Sequence, residues 1–322
     1  MKRILLIGMG FYAYEQSIKK EMEKMGFEVS FILDRPNRFY GYDRITSARK
    51  KAIDQDKYLK GVIKKLTPNF DIVLVLVGRH LNASFLTSLR AMNQNATFIL
   101  YLWDDVARVA NYSDVKSFYD LTFTFDNIDA EQYGFRFLPL YFLPEFRISK
   151  SKEPIYDVCT ISSVHSDRLD VMELLVKNSD KSIKYNLFFV GGFFYRLKEM
   201  FFRRFRCLKR LKGFHYMNKP LNTQDTLGIM AKSISIVDIQ HPTQRGLTSR
   251  TFEALASKTK LITTNSEISK YDFYNPSNIA IIDRNKPYID SNFFKIPYVE
   301  IESDLIENYS LNHWITTLLT NI

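Results

Sequence analysis

The chain has 322 residues, 46% of them apolar and 25% charged, which is enough to build two globular domains with cores of their own. Its net charge of +10 implies an anionic partner or surface, and nucleotides, nucleic acids and anionic lipids all qualify. Two cysteines and five dispersed histidines exclude a disulfide scaffold and a zinc site of ordinary ligand spacing. The N-terminal apolar run is too short for a signal peptide, and no run reaches the ~18 residues of a membrane span.

The first half of the chain alternates short apolar runs with helical patterns, which predicts a parallel sheet covered on both faces. The predicted strands are residues 4–7, 29–33, 72–77, 97–102 and 121–125. The predicted helices are residues 13–25, 47–66, 83–92 and 127–133, and residues 137–142 end this half.

The second half repeats the alternation behind a polar, proline-bounded stretch at residues 144–154, which is the predicted linker. Its predicted strands are residues 156–161, 185–190, 214–216, 234–239, 261–264 and 279–282. A last helix is predicted at residues 305–319. The chain is therefore expected to be an α/β protein with two similar halves.

The most informative segment is residues 244–256, where a glycine turn and a helix follow a predicted strand. Gly246, Thr248 and Ser249 fall at the helix start, where unpaired backbone N–H groups and the helix dipole favour a phosphate. Glu253 lies one to two turns further on, and a carboxylate there suits a ribose diol because it accepts two hydroxyl hydrogen bonds. The segment indicates a nucleotide-sugar pocket. The alternative is a plain α/β crossover with Glu253 as a solvated helix charge.

The run Arg-Thr-Phe-Glu-Ala-Leu-Ala at residues 250–256, followed by Lys-Leu-Ile-Thr-Thr-Asn, resembles the donor-binding segment of GT-B glycosyltransferases. It is most similar to bacterial enzymes of capsule and lipopolysaccharide (surface polysaccharide) biosynthesis. The resemblance implies two Rossmann-like parallel-sheet domains facing a cleft, with an acceptor-side domain at residues 1–148 and a donor domain at residues 155–304. It also implies a C-terminal helix, residues 305–322, that crosses back to the first domain.

The same resemblance implies roles for the residues of this segment. Glu253 binds the donor ribose, while the turn and the helix start surround the diphosphate. The residues around the diphosphate are Gly246, Leu247, Thr248, Ser249 and Arg250. Many retaining members place a first glutamate just before the turn, where this chain has Arg245, so the stereochemical outcome does not follow by analogy.

Other loops of the second half complete the predicted donor site. His165 and Arg168 follow the first strand, in a strand-to-helix turn that suits phosphate, and the resemblance makes Arg168 the positively charged residue that neutralises the leaving diphosphate. The alternative is a surface helix start capped by Asp167. Gly191 permits close backbone approach after the next strand. Lys219 and Leu221 lie where members of the family bind the nucleobase, and this assignment rests on their position in the sequence alone.

In the first half, Gly8 and Gly10 follow the first strand, and the resemblance implies that this acceptor-side loop accommodates donor or acceptor. As a dinucleotide fingerprint the loop is weak. The motif tolerates Ala13 in place of the third glycine, but only Asp34 after the second strand offers the later acid. An NAD-dependent oxidoreductase is therefore the runner-up, and a tight turn without ligand is the other alternative.

The candidate catalytic residues are His80, after the third strand, and Asp104 and Asp105, after the fourth. One of them would act as the base toward an acceptor hydroxyl. Capping of the next helix by the aspartates is equally open, and a lone histidine is more often structural. A divalent cation is a further possibility. The resemblance argues against it, because GT-B enzymes generally stabilise the leaving diphosphate with side chains and helix dipoles, so neither cofactor nor metal is expected.

Residues 195–214 carry eight basic residues and one acidic residue, interleaved with Phe and Leu. A basic, aromatic amphipathic helix is typical of an interfacial membrane binder. The predicted membrane contacts are Arg203, Arg204, Arg206, Lys209 and Arg210. The alternative is a helix that covers the sheet with its aromatics and turns its charges to water. No base-reading module is recognisable, so nucleic acid is not an expected partner.

These observations together predict a glycosyltransferase that moves a sugar from a nucleotide-diphosphate donor to a surface glycan or glycolipid acceptor. The expected location is the cytoplasm, peripheral on the anionic inner face of the cell membrane. Two alternatives stay open: the NAD-dependent oxidoreductase, and a basic protein that binds membrane or nucleic acid without catalysis.

Overall fold

A computed structural model describes residues 1–10, 14–38, 42–109, 111–192 and 206–320 of the chain. The chain divides into two compact units, one formed by Met1–Pro139 with Leu311–Ile322 and the other by Leu140–Ser310. Within the described residues, each unit contains a six-stranded sheet in which all paired strands are parallel. The predicted α/β fold with two parallel sheets is confirmed.

The first unit alternates strands with helices along the chain. Its strands are β1 (Arg3–Gly8), β2 (Glu28–Leu33), β3 (Ile72–Leu76), β4 (Thr97–Leu102), β5 (Leu121–Thr124) and β6 (Arg136–Phe137). Its helices in this part of the chain are α1 (Tyr14–Lys24), α2 (Tyr42–Ile45), α3 (Ala48–Lys65), α4 (Ala83–Met92), α5 (Tyr112–Val115) and α6 (Asn127–Tyr133). The strand order is β2-β1-β3-β4-β5-β6, which places β1 and β3 inside the sheet.

The apolar runs of the sequence form the centre of this sheet. Every residue of β3 is buried, and Ile4 and Leu6 of β1 pair in register with Ile72 and Leu74. Strands buried on both faces consist of continuous apolar residues, which is why these runs were readable from the sequence.

The second unit repeats this architecture. Its strands are β7 (Tyr156–Ser163), β8 (Tyr185–Val190), β9 (Phe214–Met217), β10 (Ser233–Asp238), β11 (Lys260–Thr263) and β12 (Ile279–Ile281). Its helices are α7 (Arg168–Asn178), α8 (Arg206–Arg210), α9 (Thr223–Ala231), α10 (Ser249–Ala256) and α11 (Ser303–Glu307), and α12 (Leu311–Thr320) follows in the first unit. The strand order is β12-β11-β10-β7-β8-β9, so β7 and β10 lie side by side at the centre.

The predicted linker at residues 144–154 lies in the second unit and is bound to it by Lys150. The Lys150 ammonium donates hydrogen bonds to the carbonyl oxygens of Met230 and Ser233 and, at 3.0 Å, to Thr259 Oγ1. Burial lowers the pKa of Lys150 to about 8. A polar stretch without periodicity therefore belongs to the folded unit because one side chain reaches its interior.

The C-terminal segment differs from the prediction of one helix at residues 305–319. It forms two helices, α11 and α12, with a break at residues 308–310. The break arises because the Phe142 amide donates to the Tyr309 carbonyl at 3.0 Å and Phe142 forms a parallel bridge with Ser310. After the break, α12 packs on α1 and places Trp314 edge-on against Tyr101, with ring centroids 4.7 Å apart.

Candidate functional site

The segment predicted to bind the donor lies at the carboxyl edge of the second unit's sheet. The chain leaves β10 at Asp238, turns through the buried Gly246 and Leu247, and enters α10 at Ser249. Because the strands are parallel, the loops that follow β7, β10, β11 and β12 all begin at this same edge. In open parallel sheets this edge is where ligands bind.

The start of α10 has no side-chain cap. Thr248 holds the capping position, but its hydroxyl donates to the Asp238 carboxylate at 2.6 Å and makes no capping hydrogen bond. A helix start without a side-chain cap presents its first-turn amides and its dipole to an anion. The hydroxyl of Thr248 thus positions the turn, while the phosphate role of this helix start remains a prediction.

Glu253 is buried in an ion pair. Its side chain is 5% exposed, and a carboxylate oxygen lies 2.5 Å from the guanidinium of Arg250, one turn earlier on α10. Arg250 also reaches the Ile161 carbonyl of β7 at 3.4 Å, which holds the pair over the centre of the sheet. The alternative of Glu253 as a solvated helix charge is therefore wrong.

Two further arginines lie at the same edge. The first residue of α7, Arg168, donates from Nε to the Ile239 carbonyl at 2.6 Å. Burial lowers the pKa of Arg168, with Asp238 opposing that shift and the charges of Arg250 and Arg284 adding to it. The guanidiniums of Arg250 and Arg284 are thus both close enough to act on that of Arg168, with Asp167 and Asp238 as counter-charges.

Arg284 is the member of this group that the sequence analysis missed. From the loop after β12, it donates to both carboxylate oxygens of Asp167, at 2.6 and 2.8 Å. Its other terminal nitrogen donates to the Gln240 carbonyl at 2.6 Å and the Thr264 hydroxyl at 3.2 Å. Arg284 therefore ties together the loops after β7, β10 and β11. Its only sequence signal was a basic residue just beyond the last predicted strand.

The contact with Arg284 also decides the role of Asp167. This residue precedes α7, but its side chain makes no capping hydrogen bond to the helix. The alternative of an Asp167 cap is therefore wrong, and the carboxylate serves the guanidinium of Arg284 instead.

The remaining predicted donor residues have mixed surroundings. His165 is exposed, with its ring centroid 6.2 Å from that of His241 in the loop after β10. At Gly191 a Cβ would lie 2.1 Å from the Tyr216 hydroxyl, so a neighbouring side chain already requires the glycine. Lys219 and Leu221 follow β9, an edge strand separated from β7 by β8. The sheet thus places these two furthest from the arginines.

In the first unit, the turn after β1 is occupied by a carboxylate of the chain itself. The buried Glu15 accepts hydrogen bonds from the amides of Met9 and Gly10, at 3.0 and 2.9 Å, through the same oxygen. A Cβ on Gly8 would lie 2.6 Å from Glu15 Cγ, and Gly10 has a positive φ of 76°. The two glycines are needed for this internal contact, because both the close approach and the left-handed backbone disfavour side chains.

The candidate catalytic residues lie at the carboxyl edge of the first unit's sheet and are engaged with basic groups. Asp104 forms an ion pair with Arg79 at 2.6 Å, and Asp105 one with Arg108 at 3.2 Å. Asp105 precedes the short 3-10 helix Val106–Arg108 without capping it through its side chain, so its capping alternative is wrong. His80 Nε2 lies 3.5 Å from an Arg35 terminal nitrogen.

Two features of the described residues concern metal binding and membrane insertion. No group of three or more His, Cys, Asp or Glu side chains suited to a metal ion occurs in the described part of the chain. Among the helices of the same part, none combines the length and the apolar character that crossing a bilayer requires.

The predicted membrane contacts are only partly visible. Arg203 and Arg204 lie outside the described residues, and Arg206 begins α8. Lys209 and Arg210 are exposed, whereas Leu208 between them and the sheet is fully buried. The start of α8 is held by Glu173, which accepts from the amides of Cys207 and Leu208. This end of the segment thus packs its apolar side inward and turns its charges outward.

Comparison with known proteins relates the chain by fold. No protein-family model matches it, and no curated protein matches it in sequence. Anabaena HepE, determined in complex with UDP and glucose, is similar with a TM-score of 0.59 at 9% identity, covering 100% of both chains. Sucrose-phosphate synthase from Thermosynechococcus elongatus is similar with a TM-score of 0.57 at 12% identity, covering 100% of this chain and 94% of that one.

UDP-N-acetylglucosamine 2-epimerase from Rickettsia bellii is also similar, with a TM-score of 0.54 at 12% identity over 100% of this chain and 96% of that one. Such identities show the fold alone. The chain has a GT-B-like fold with two Rossmann-like parallel-sheet units.

Proposed function

We propose that the protein is a glycosyltransferase that uses a nucleotide-diphosphate sugar as its donor, and that the second unit binds this donor. The observation that carries the proposal is the convergence of Arg168, Arg250 and Arg284 where α10 begins without a side-chain cap. Guanidiniums and helix amides are the groups that stabilise phosphate and the negative charge that develops on a leaving diphosphate. In this assignment no metal ion is required to stabilise the charge on the leaving diphosphate.

Glu253 would bind the donor ribose from within the same site. A ribose diol donates hydrogen bonds, so it can share the carboxylate with Arg250, which also donates. The proposed diphosphate contacts are those of the turn and helix start, from Gly246 to Arg250, with His165 and Arg168 in the loop after β7. We propose that Gly191, Lys219 and Leu221 form the outer part of the donor site, where the nucleobase binds.

The proposed acceptor is a glycan or glycolipid of the cell surface, handled by the first unit. Asp104, Asp105 and His80 are the candidates for the base, and the Gly8–Gly10 turn is the acceptor-side loop. The carboxylates have guanidinium partners, so an acceptor hydroxyl would compete with Arg79 or Arg108 for them. Capsule or lipopolysaccharide assembly is the expected setting.

We expect the enzyme to act at an anionic membrane surface, because its proposed acceptor is linked to lipid. Besides the exposed Lys209 and Arg210, helix α3 offers a basic face. The α3 basic face consists of Arg49, Lys57, Lys60 and Lys64, which are all exposed and recur at helical spacing. Ile53 lies on the same face and is 58% exposed. Basic residues around an exposed apolar side chain favour adsorption to anionic lipid.

The oxidoreductase alternative is disfavoured by Glu15. A dinucleotide pyrophosphate would need the amides of the turn after β1, but the carboxylate of Glu15 already accepts from Met9 and Gly10. Its negative charge would also repel the phosphates. This observation leaves the nucleotide-sugar enzyme as the better supported function.

Thermal-shift and calorimetric titration with UDP-, GDP-, CMP- and dTDP-sugars, NAD and an oligonucleotide would test the proposal. We expect one nucleotide sugar to bind and NAD and the oligonucleotide not to. Turnover should then release the nucleoside diphosphate with a glycan acceptor present and should persist in EDTA. Binding of none of the nucleotide sugars would reject the proposal, and an epimerised donor in place of transfer would assign a different reaction to this site.

A further inference from the structure

Asp34, the residue immediately after β2, is a buried carboxylate that no side chain caps. The side chain is 0% exposed, and within the described residues neither carboxylate oxygen accepts a hydrogen bond of ordinary geometry, although the His80 amide is near enough to lower the pKa of the group. Buried polar groups in proteins are nearly always paired, and a charged group pays a large desolvation penalty when it is not. The position of Asp34 is also informative, because the carboxyl edge of a parallel sheet is where ligands bind.

The backbone around Asp34 is rigidly held. Its amide donates to the Gly8 carbonyl at 2.8 Å, which continues the pairing of β2 with β1. The Gln55 side chain donates to the carbonyl of Asp34 at 2.7 Å and to that of His80 at 2.9 Å. One amide thus joins the loops after β2 and β3 across the end of β1, and the carboxylate of Asp34 is presented from a fixed frame.

The charged and titratable groups that face Asp34 are of both signs. Burial raises its pKa to about 6, although Arg35, the His80 amide and Arg79 act in the opposite direction. The carboxylate of Glu15 adds to the rise. Two tyrosines, Tyr58 on α3 and Tyr119 before β5, feel its charge as well. The effect of burial on the pKa of Asp34 is therefore larger than the opposing effects of Arg35 and Arg79.

Among the described residues, other buried polar atoms near this edge make no hydrogen bond of ordinary geometry. They are Arg79 Nε, Trp103 Nε1, Asp105 Oδ1, Asn111 Oδ1 and the Tyr119 hydroxyl. Tyr119 and Asn111 both lie against Gly78, because a Cβ there would be 3.3 Å from the hydroxyl and the Asn111 amide donates to the Gly78 carbonyl at 3.2 Å. The group contains acceptors and donors together, as a site for a hydroxylated ligand requires.

The mixture of charges indicates what such a ligand is. A cation would be repelled by Arg35 and Arg79, and an anion by Asp34 and Glu15. A neutral molecule with several hydroxyl groups meets neither penalty, and each hydroxyl both donates and accepts. Sugars are the common ligands of this kind.

We propose that Asp34 accepts a hydrogen bond from a hydroxyl of a neutral, sugar-like ligand that binds at the carboxyl edge of the first unit's sheet. The inference deepens the proposed function, in which this ligand is the acceptor glycan. Arg35 and His80 are half-buried beside Asp34, and the 3.5 Å contact between their side chains is long for a hydrogen bond.

A purely structural Asp34 would behave differently on mutation. The folded pKa of about 6 exceeds the ordinary 3.8, so the ionised carboxylate destabilises the fold at neutral pH. That penalty is absent below pH 3.8 and complete above pH 6. Asp34→Asn keeps the shape and removes the charge, and its melting temperature at neutral pH should equal or exceed that of the wild type. A structural role predicts the opposite, a lower melting temperature for Asp34→Asn.

Saturation-transfer NMR on the full chain tests the proposal, with the methyl glycosides of glucose, galactose, mannose and N-acetylglucosamine as probes. We expect at least one to bind the wild type and to bind Asp34→Asn about tenfold or more weakly, as loss of a charged hydrogen bond implies. Asp56→Asn, an exposed aspartate on α3, is the control that should bind as the wild type does.

Three results would overturn the inference: no probe binds the wild type, Asp34→Asn binds equally well, or Asp34→Asn melts below the wild type at neutral pH. Titration of the same proteins with UDP-, GDP-, CMP- and dTDP-sugars separates the two proposals. If glycoside binding depends on Asp34 while no nucleotide sugar binds, the proposed donor function fails and the Asp34 site stands.

Discussion

The carboxylate of Glu253 and the guanidinium of Arg250 lie 2.5 Å apart on the first two turns of α10, buried over the centre of the second sheet. The pair joins two tasks in one place, because the glutamate proposed to bind ribose also neutralises an arginine proposed to face the diphosphate. Changes at either residue should therefore alter stability and nucleotide affinity together.

Glu253→Gln should weaken nucleotide-sugar binding by about 1.5–3 kcal/mol, the value of a hydrogen bond to a charged group. It should also lower the free energy of unfolding by about 3 kcal/mol, because Arg250 is left without its charge partner. Calorimetry and urea denaturation measure the two effects. Glu300→Gln is the control, since Glu300 pairs with Lys258 at 2.6 Å on the exposed surface and should cost little. Unchanged nucleotide affinity in folded Glu253→Gln would remove the ribose assignment.

Arg284→Lys keeps the positive charge but removes the planar fork that binds Asp167, Gln240 and Thr264 together. We expect about a tenfold or larger loss of nucleoside-diphosphate affinity, because the loops after three strands lose their common tie. Isothermal titration with the diphosphate of the preferred base measures it. Arg147→Lys, an exposed arginine paired with Glu307, should bind normally. Equal affinities for all three proteins would remove Arg284 from the proposed diphosphate site.

Lys260 should make stability rise with pH in the alkaline range. Its ammonium is buried, donates to the Phe293 carbonyl at 2.6 Å, and has a pKa lowered by burial to about 8 from 10.5. Between those values the unfolded chain binds a proton that the folded chain does not, so raising the pH favours folding, by at most ~3 kcal/mol. Lys150 acts in the same direction.

Denaturation at a series of pH values checks this expectation. Lys260→Met should be more stable than the wild type at neutral pH, and the difference should shrink as the pH passes from 8 towards 10.5. Lys270→Met, at an exposed lysine, should leave the pH profile unchanged. A wild-type profile that is flat across this range would contradict the buried-lysine account.

The protein should bind vesicles that contain anionic lipid at low salt and release them at high salt, because each basic residue near the surface contributes about 1 kcal/mol and is screened. Two sets of basic residues can each be replaced by glutamine, and each replacement should reduce vesicle binding without affecting nucleotide affinity. The first set is Arg203, Arg204, Arg206, Lys209 and Arg210, and the second is the α3 basic face.

A charge-matched control distinguishes a local surface from net charge. Its glutamines replace four exposed lysines elsewhere: Lys152, Lys181, Lys184 and Lys295. If this control loses as much vesicle binding as the variant of the α3 basic face, only the net charge matters. If the wild type does not bind anionic vesicles at low salt, the membrane proposal fails, and the basic segments are solvated faces.

The strands and their order of appearance were predictable because burial on both faces leaves a local mark, such as the continuous apolar run of β3. The turn at Gly246 and the helix behind it were predictable for the same reason, since turn chemistry and helical periodicity depend on neighbours in the sequence. Neither pattern contains the break between α11 and α12, which depends on a partner as distant along the chain as Phe142.

The state of each candidate side chain was decided by tertiary structure. The sequence allowed Glu253 to be a solvated or a buried charge, and the packing of α10 against the sheet makes it buried. The arginines that donate to Asp104 and Asp167 come from other loops. Asp34 entered the sequence analysis only as a weak dinucleotide signal. Its burial follows from where β1, β2 and β3 end together, because desolvation depends on which distant segments meet.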